Sequence, residues 1–369
     1  MKVKIFYGGL SEFRKMLPSG NNFMPIVDLA IQDDLRNRRV KLDVEGKRVE
    51  IEEELIHYDN VVAYSDDYAS LSEGTIESFT NFVLRYDIDT LYLQNPPDII
   101  ARHIQELSCV ECEIEGHEYK VIDLELLKAI KNGFSEAVIG QETAKMQILS
   151  ALYNVAKCRY NKPCVILLYG STGIGKTESA KFIASVLGEK LFRKQFSMLH
   201  SEEFSSYVFG GKHNQNSLAK ELLERESNII LFDEFDKPHP VFHSAFYQLF
   251  DEGVYVDRNY TVKMKDSIII CTSNYMSEKE IRSALGEPIF SRFDAVIKFE
   301  KLSPSAIHKI MENEFDKQYS VLDNKEKGAV DGYNIKEKIF ALAPNLENAR
   351  QIRRIIREAF SAALIKELL

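Results

Sequence analysis

Apolar residues along this chain fall into short runs and helical stripes, and their rhythm changes once, near residues 113 to 125. Before that point the pattern is that of a small α/β domain. Lys2 to Phe6 alternates as a half-buried strand does, Gly8-Gly9 supplies a turn, and Ser11 to Leu17 can open a helix. Val40 to Glu54 alternates apolar and charged residues on either side of Glu45-Gly46-Lys47, which predicts a hairpin. Strands are expected at Val61 to Tyr64 and Thr90 to Leu93, and helices at Thr75 to Arg85 and Pro97 to Leu107, the latter opened by Pro96-Pro97-Asp98. The turn at Gly8-Gly9 and the pair Asp66-Asp67 read as solvated loops.

From Asp123 onward the runs are longer. Leu124 to Asn132 and Glu142 to Ala156 carry helical apolar faces. Val165 to Tyr169, Asn228 to Phe232, Ser267 to Thr272 and Ala295 to Phe299 are short apolar strands, of the kind buried on both faces in a parallel sheet. After Val165 to Tyr169 comes a helix with Ala180, Ile183, Ala184 and Leu187 at i, i+3, i+4, i+7, ending at Gly188. The C-terminal segment is helical. One helix starts at Ser303-Pro304-Ser305, and the last runs from near Asn345 almost to Leu369. In that last helix Ile352, Ile355, Ile356, Ala359, Phe360, Ala363 and Leu364 share a core face, and Arg350, Arg353, Arg354 and Arg357 lie on the other side.

The chemistry sits at the ends of the predicted strands. Gly170-Ser171-Thr172-Gly173-Ile174-Gly175-Lys176-Thr177 fills every position of the phosphate-cradling pattern G-x-x-x-x-G-K-[ST], between a strand and a helix. Its glycines let backbone N–H groups turn inward around an anion, and the helix adds the positive end of its dipole. Lys176 would reach the β- and γ-phosphates, and the Thr177 hydroxyl would join Mg²⁺ coordination. Asp233-Glu234 follows the strand Asn228 to Phe232, as in a Walker B element: Asp233 would hold Mg²⁺ through its water shell and Glu234 would polarise the attacking water. Asn274, just past the strand Ser267 to Thr272, is placed to contact the γ-phosphate or orient that water. Arg292, in Phe290-Ser-Arg-Phe-Asp294, is a candidate finger for a neighbouring subunit's γ-phosphate. Arg350, in the first turn of the last helix, could reach back over bound nucleotide.

Composition narrows the classes. The chain has 369 residues, 45% hydrophobic and 28% charged, with a formal net charge of −9, which argues against wholesale coating of nucleic acid. Apolar runs stay short of the roughly 18 to 20 residues a membrane span needs, and Met1-Lys-Val-Lys-Ile-Phe6 does not resemble a signal peptide, so a cytoplasmic protein is expected. The five cysteines read as free thiols. Cys109 and Cys112 form a lone C-x-x-C flanked by His103 and His117; buried thiols are the favoured reading and a four-ligand zinc site the alternative.

Together these motifs resemble the AAA+ ATPases, and within them the Clp type of protein unfoldase, over about residues 125 to 369. Val138-Ile139-Gly140-Gln141 is similar to the family's adenine-side box, and Asp233-Glu-Phe-Asp-Lys-Pro-His-Pro240 to its extended Walker B. Phe246 to Gly253 with Val256-Asp257 is similar to the helix and turn that follow. Cys271-Thr-Ser-Asn274 resembles sensor 1, Arg292 the arginine finger, and Asn348-Ala-Arg350 sensor 2. The resemblance implies a P-loop parallel-sheet ATPase domain over 123–300, a small helical lid domain over 301–369, and a separate α/β domain over 1–122 that recognises a target. It further implies ATP and Mg²⁺ as cofactors, Val138 and Ile139 against adenine, and a ring-shaped homo-oligomer, a hexamer, with each ATP at a subunit junction.

Two departures matter. The family's pore loop corresponds to Ser205 to Ser217, which is shorter; the gripping group is Tyr207 or Phe209, or the loop tip is the polar Lys212-His213-Asn214. The connection from Asn274 to Arg292 leaves little room for a loop that docks a peptidase ring, so no such partner is expected. The leading expectation is an ATP-driven protein remodeller. Alternatives are a nucleotide-controlled scaffold or switch, for example in phage defence or mobile-element control, and a DNA-acting ATPase drawing on Arg350 to Arg357 and on Arg36, Arg38 and Arg39.

Overall fold

The computed structural model describes the chain except residues 19, 21–22, 38–54, 158, 160–161, 199–200 and 369. The hairpin expected over Val40 to Glu54, and Arg38 and Arg39 of the basic cluster, lie outside the described residues. The strands are β1 (Lys2–Tyr7), β2 (Met24–Pro25), β3 (His57–Ala63), β4 (Asp87–Gln94), β5 (Glu111–Gly116), β6 (Cys164–Tyr169), β7 (Phe192–Gln195), β8 (Ile229–Asp233), β9 (Val254–Val256), β10 (Thr261–Lys263), β11 (Ile268–Ser273) and β12 (Ala295–Lys298). They belong to two compact units. The first comprises Met1–Tyr119, Leu199–Glu226 and Val254–Met264; the second comprises Lys120–Met198, Ser227–Gly253 and Lys265–Leu369.

The first unit is built on a five-stranded parallel sheet in the order β2-β3-β4-β1-β5. Val3, Ile5, Val61, Ala63, Leu91 and Leu93 alternate onto one buried face. The helix expected over Thr75 to Arg85 is two short helices, Glu73–Glu77 and Phe79–Val83. They break at Ser78, whose hydroxyl bonds back to the carbonyl of Gly74 at 2.5 Å and competes with the helical ladder.

Just past the C-terminal ends of β1, β3 and β4 the same unit takes in its two later segments. The Lys220 ammonium lies 2.5 Å from Oδ1 of Asp66, and the Ser65 hydroxyl donates to Glu224. His213 Nε2 donates to the carbonyl of Leu71 at 2.8 Å, and Thr261 Oγ1 to Asp98 at 2.6 Å. Gly8 and Ser65 are buried there, and Asn95, in a left-handed conformation at φ 45°, bonds to Gly8 through both ends of its amide. Gly8-Gly9 is therefore a packing position rather than a solvated loop, and Asp67 is half-buried and accepts the N–H of Tyr64 at 2.8 Å, whereas the Asp66 side chain is 89% exposed, as a solvated loop predicts. Loops at the carboxyl ends of parallel strands are where such sheets usually take ligands. In this unit they hold two segments of its own chain.

Cys109 is exposed and Cys112 half-buried, and burial raises the Cys112 thiol above its ordinary pKa. All four described cysteines are free. The buried-thiol reading thus fails for Cys109, which precedes the edge strand β5. Among the described residues, the ligating side chains close enough to share an ion are His57, Asp59 and Asp89, so Cys109, Cys112, His103 and His117 do not assemble a zinc site.

The second unit is a parallel sheet in the order β12-β6-β11-β8-β7. Every residue of β6, β8 and β11 is buried, which explains their apolar runs, broken only at the carboxyl ends by Asp233 and by Thr272 and Ser273. The helix Lys176–Leu187 starts directly after the glycine loop and ends at Gly188, left-handed at φ 69°. The last helix spans Ala349–Leu368 and starts later than the expected position near Asn345. Pro344 and Asn345 close a 3₁₀ turn first, and Asn348 Oδ1 accepts the N–H of Gln351. Ile352, Ile356, Phe360 and Ala363 are buried on its core face. Among the described residues no helix is long and apolar enough to cross a membrane.

Candidate nucleotide site

The glycine loop has the backbone its composition demands. Gly173 and Gly175 sit at φ 73° and 115°, and a Cβ on Gly175 would meet Val138 Cγ1 at 2.8 Å. One cavity of about 490 Å³, the size of a small-molecule site, opens over this loop. Its lining brings together Val138, Ile139, Thr172, Gly173, Ile174, Gly175, Lys176, Thr177, Asp233, Glu234, Asn274 and Arg350, which lie far apart in sequence. Ser171 and Arg292 do not line it. The Ser171 carbonyl instead accepts from Lys176 at 2.7 Å. Arg292 pairs with Asp251 at 2.8 Å and lies over the Tyr247 ring at 4.3 Å.

At the phosphate end the groups are closely coupled. Lys176 Nζ donates to the Gly170 carbonyl at 2.6 Å and to Asn274 Oδ1 at 3.2 Å. Burial lowers the Lys176 amine to about 8, against the opposing pull of Asp233 and Asp236. Asp233 ends the buried strand β8, with Thr177 Oγ1 3.4 Å from its Oδ1. Thr272, across on β11, donates its hydroxyl to that same oxygen at 2.6 Å. The Thr272 hydroxyl also accepts the N–H of Glu234 at 2.9 Å, and Glu234 has the left-handed φ of 56°, rare outside glycine. A hydroxyl and a carboxylate side by side are the hard oxygen donors Mg²⁺ takes, and a left-handed glycine loop with a buried lysine fits a polyphosphate, so these residues suit MgATP.

Three lining residues carry no signal in the local sequence pattern. Arg193 and Gln195 come from β7, a half-exposed strand of Phe-Arg-Lys-Gln with no apolar run. Arg193 bonds Asp233 Oδ2 through Nε at 3.1 Å and Nη2 at 2.6 Å, and Gln195 Nε2 donates to Glu234 at 3.2 Å. Thr272 lies within the Cys271 to Asn274 stretch, where the pattern singles out Asn274 and gives the threonine no role of its own.

The other end of the cavity combines an apolar patch with polar residues of the C-terminal helices, Asn313, Glu314, Lys317 and Arg353. Val138, Ile139, Leu302 and Ile310 line it. Gln141 ties this end to the loop, donating to the carbonyls of Ile174 and Glu300 at 3.2 and 2.9 Å. The N–H of Ala349 donates to the Gly173 carbonyl at 2.9 Å, which brings the first turn of the last helix, with Arg350, to the glycine loop.

A parallel sheet with a phosphate loop at the end of β6, an acidic pair at the end of β8 and a cap of C-terminal helices defines a P-loop ATPase domain. Residues 161–321 match the family model of the AAA domain (Cdc48 subfamily). The mitochondrial disaggregase of Homo sapiens is 35% identical over 170 residues, 42% of this chain and 24% of that protein. The ATP-dependent Clp protease ATP-binding subunit ClpE of Lactococcus lactis is 28% identical over 296 residues, 71% of this chain and 40% of that one. In fold, the chain is similar to the closed state of Hsp104 solved with ATPγS and FITC casein, with a TM-score of 0.52 and 22% identity over 63% of this chain and 46% of that one. Residues 161–321 thus form a AAA domain of the Cdc48/Clp type, similar in sequence to Clp-type ATPases and in fold to Hsp104. The chain spans between 24% and 40% of the length of these curated relatives.

Proposed function

We propose that this chain binds MgATP in the cavity of its second unit, hydrolyses it to ADP and phosphate, and uses the cycle to remodel a protein partner as a hexameric ring in the cytoplasm. The carrying observation is the convergence of Lys176, Thr177, Asp233, Glu234, Asn274 and Arg350 on one cavity. Thr177 and Asp233 would hold Mg²⁺, which when bound neutralises charge on the β- and γ-phosphates. Backbone N–H groups of Thr172 to Gly175 and the Lys176 ammonium cradle those phosphates, with Ser171 shaping the loop from outside. Glu234 orients a water and takes its proton, Asn274 holds the γ-phosphate end, and Arg350 counters charge from the cap. Val138 and Ile139 supply apolar contact for adenine. Arg292, away from its own cavity, is assigned to a neighbouring subunit's γ-phosphate.

Residues 1–122 would choose the target, and the two short helices Glu278–Leu285 and Glu287–Phe290 in the connection to Arg292 support the absence of a peptidase partner. The test is ATP turnover against protein concentration. Turnover per chain should rise with concentration, vanish in Arg292→Ala, and vanish in Glu234→Gln with nucleotide binding kept. Turnover independent of concentration would remove the ring, and full activity in Glu234→Gln would remove the catalytic assignment.

A second reading, the nucleotide-controlled switch, has its own support. Tyr207 is 6% exposed with its hydroxyl donating to Glu221 at 2.6 Å, and His213 is tied to Leu71. Two of the candidate pore-loop groups are thus engaged inside the first unit, leaving Phe209, at 42% exposed, as the aromatic that could meet a substrate.

A further inference from the structure

The carboxylate read above as a Mg²⁺ ligand already has a cation on it. Asp233 is buried, with its side chain 9% exposed, and both of its oxygens are in use. Oδ1 accepts the Thr272 hydroxyl, and Oδ2 accepts both Nε and Nη2 of Arg193. Strand register places the guanidinium there. On the edge strand β7, Arg193 pairs with Leu231 and Gln195 with Asp233, so Arg193 and Gln195 share the face that looks onto the acidic pair. The Arg193 side chain is 42% exposed and lines the same cavity as Lys176, Thr177 and Asn274, so it has room to move without leaving the site.

We infer that Arg193 is a positioning residue that competes with the divalent cation for Asp233: its guanidinium holds the carboxylate until the cation takes it, and then remains in the cavity as a positive charge facing the phosphates. This inference rests on the nucleotide-site reading. Its physical basis is that a buried carboxylate needs a counter-charge, whereas Arg193 and a divalent cation cannot both take Oδ2 without like-charge repulsion. Exchange leaves neither cation stranded, because the triphosphate supplies the anionic partner that Arg193 gives up in Asp233. Ordinary surface ion pairing would make Arg193 matter for stability alone. Competition makes it matter for the cation dependence of binding.

The test is fluorescent-ATP binding by the full chain, titrated with Mg²⁺ from an EDTA-treated start, in wild type, Arg193→Gln, Arg193→Lys and Lys176→Ala. In Arg193→Gln the Mg²⁺ concentration at half-maximal tight binding should fall about 3- to 10-fold, the scale of a charged hydrogen bond tempered by partial exposure. Arg193→Lys, which keeps the charge and loses the fork, should shift the same way by less, and it stands in if Arg193→Gln does not fold. A midpoint unchanged or raised in both variants overturns the inference. If wild type binds no nucleotide at any Mg²⁺ concentration, or binds it just as Lys176→Ala does, the nucleotide site itself is misread and the inference goes with it.

Discussion

Thr272 donates its hydroxyl to Asp233 at 2.6 Å and accepts the backbone N–H of Glu234 at 2.9 Å, so one side chain on β11 orients both members of the acidic pair at the end of β8. Thr272→Val keeps the shape and removes both bonds, leaving a buried carboxylate oxygen and a backbone N–H short of a partner. Stability should drop by about 1 to 3 kcal/mol, measured by urea unfolding. ATP turnover should fall about tenfold or more as Glu234 loses its anchor. Full turnover in Thr272→Val would show that the pair does not depend on this hydroxyl.

The glycine loop makes a sharper demand. Gly175→Ala forces a side chain onto φ 115° and within 2.8 Å of Val138 Cγ1, a carbon of the cavity wall. Nucleotide binding should weaken by at least tenfold, while the melting temperature moves by a few degrees at most. Wild-type affinity in this variant, measured by fluorescent-nucleotide titration, would mean that the loop does not cradle phosphate in the conformation described.

Tyr207 and Phe209 call for different substitutions because their burial differs. Tyr207→Phe should cost about 0.5 to 1.5 kcal/mol through the lost bond to Glu221. Truncation of Tyr207 to Ala should destabilise the first unit by several kcal/mol, so it cannot report on substrate gripping. Phe209→Ala should leave stability within about 1 kcal/mol. If the chain threads a substrate, Phe209→Ala should lose substrate processing and keep ATP turnover. If nucleotide acts as a switch, processing by Phe209→Ala should match wild type.

In the first unit, His57 lies 2.9 Å from Asp87 and 3.1 Å from Asp59, across β3 and β4. Hydrogen bonding to Asp87, then to Asp59, raises its pKa above the ordinary 6.5. A raised folded-state pKa means that the stabilisation is present below pH 6.5 and is lost as pH rises through the higher folded value. An NMR titration should place His57 above 6.5, and Asp87→Asn should bring it back down. A His57 that titrates at its ordinary value in the wild type would remove the effect.

The parts of this protein that were legible in its sequence are those whose chemistry is contiguous. The run from Gly170 to Thr177 codes for its own backbone, because left-handed positions need glycine and the helix must start at once behind them. The apolar runs leading to Asp233-Glu234 and Asn274 are equally local, since burial on both faces confines polar residues to the carboxyl ends of these strands. Asn274 and Arg350 could be assigned to the cavity because each sits at the end of an element, where neighbouring chain reaches the carboxyl edge of a parallel sheet.

What the tertiary structure decided are the relations between separate elements. Arg193 on Asp233 and Gln195 on Glu234 depend on β7 lying beside β8 in that register. A half-exposed edge strand has no apolar signature from which to foresee it. Arg292, which the motif places at a γ-phosphate, lies outside the cavity of its own chain against Asp251 and Tyr247. The membership of Leu199–Glu226 and Val254–Met264 in the first unit is likewise set by contacts of Asp66, Leu71 and Asp98 with residues more than a hundred positions away. Local pattern encodes which residues will be buried and where the chain will turn. Which buried or charged groups then meet is a property of strand order, and that is settled only when the whole chain packs.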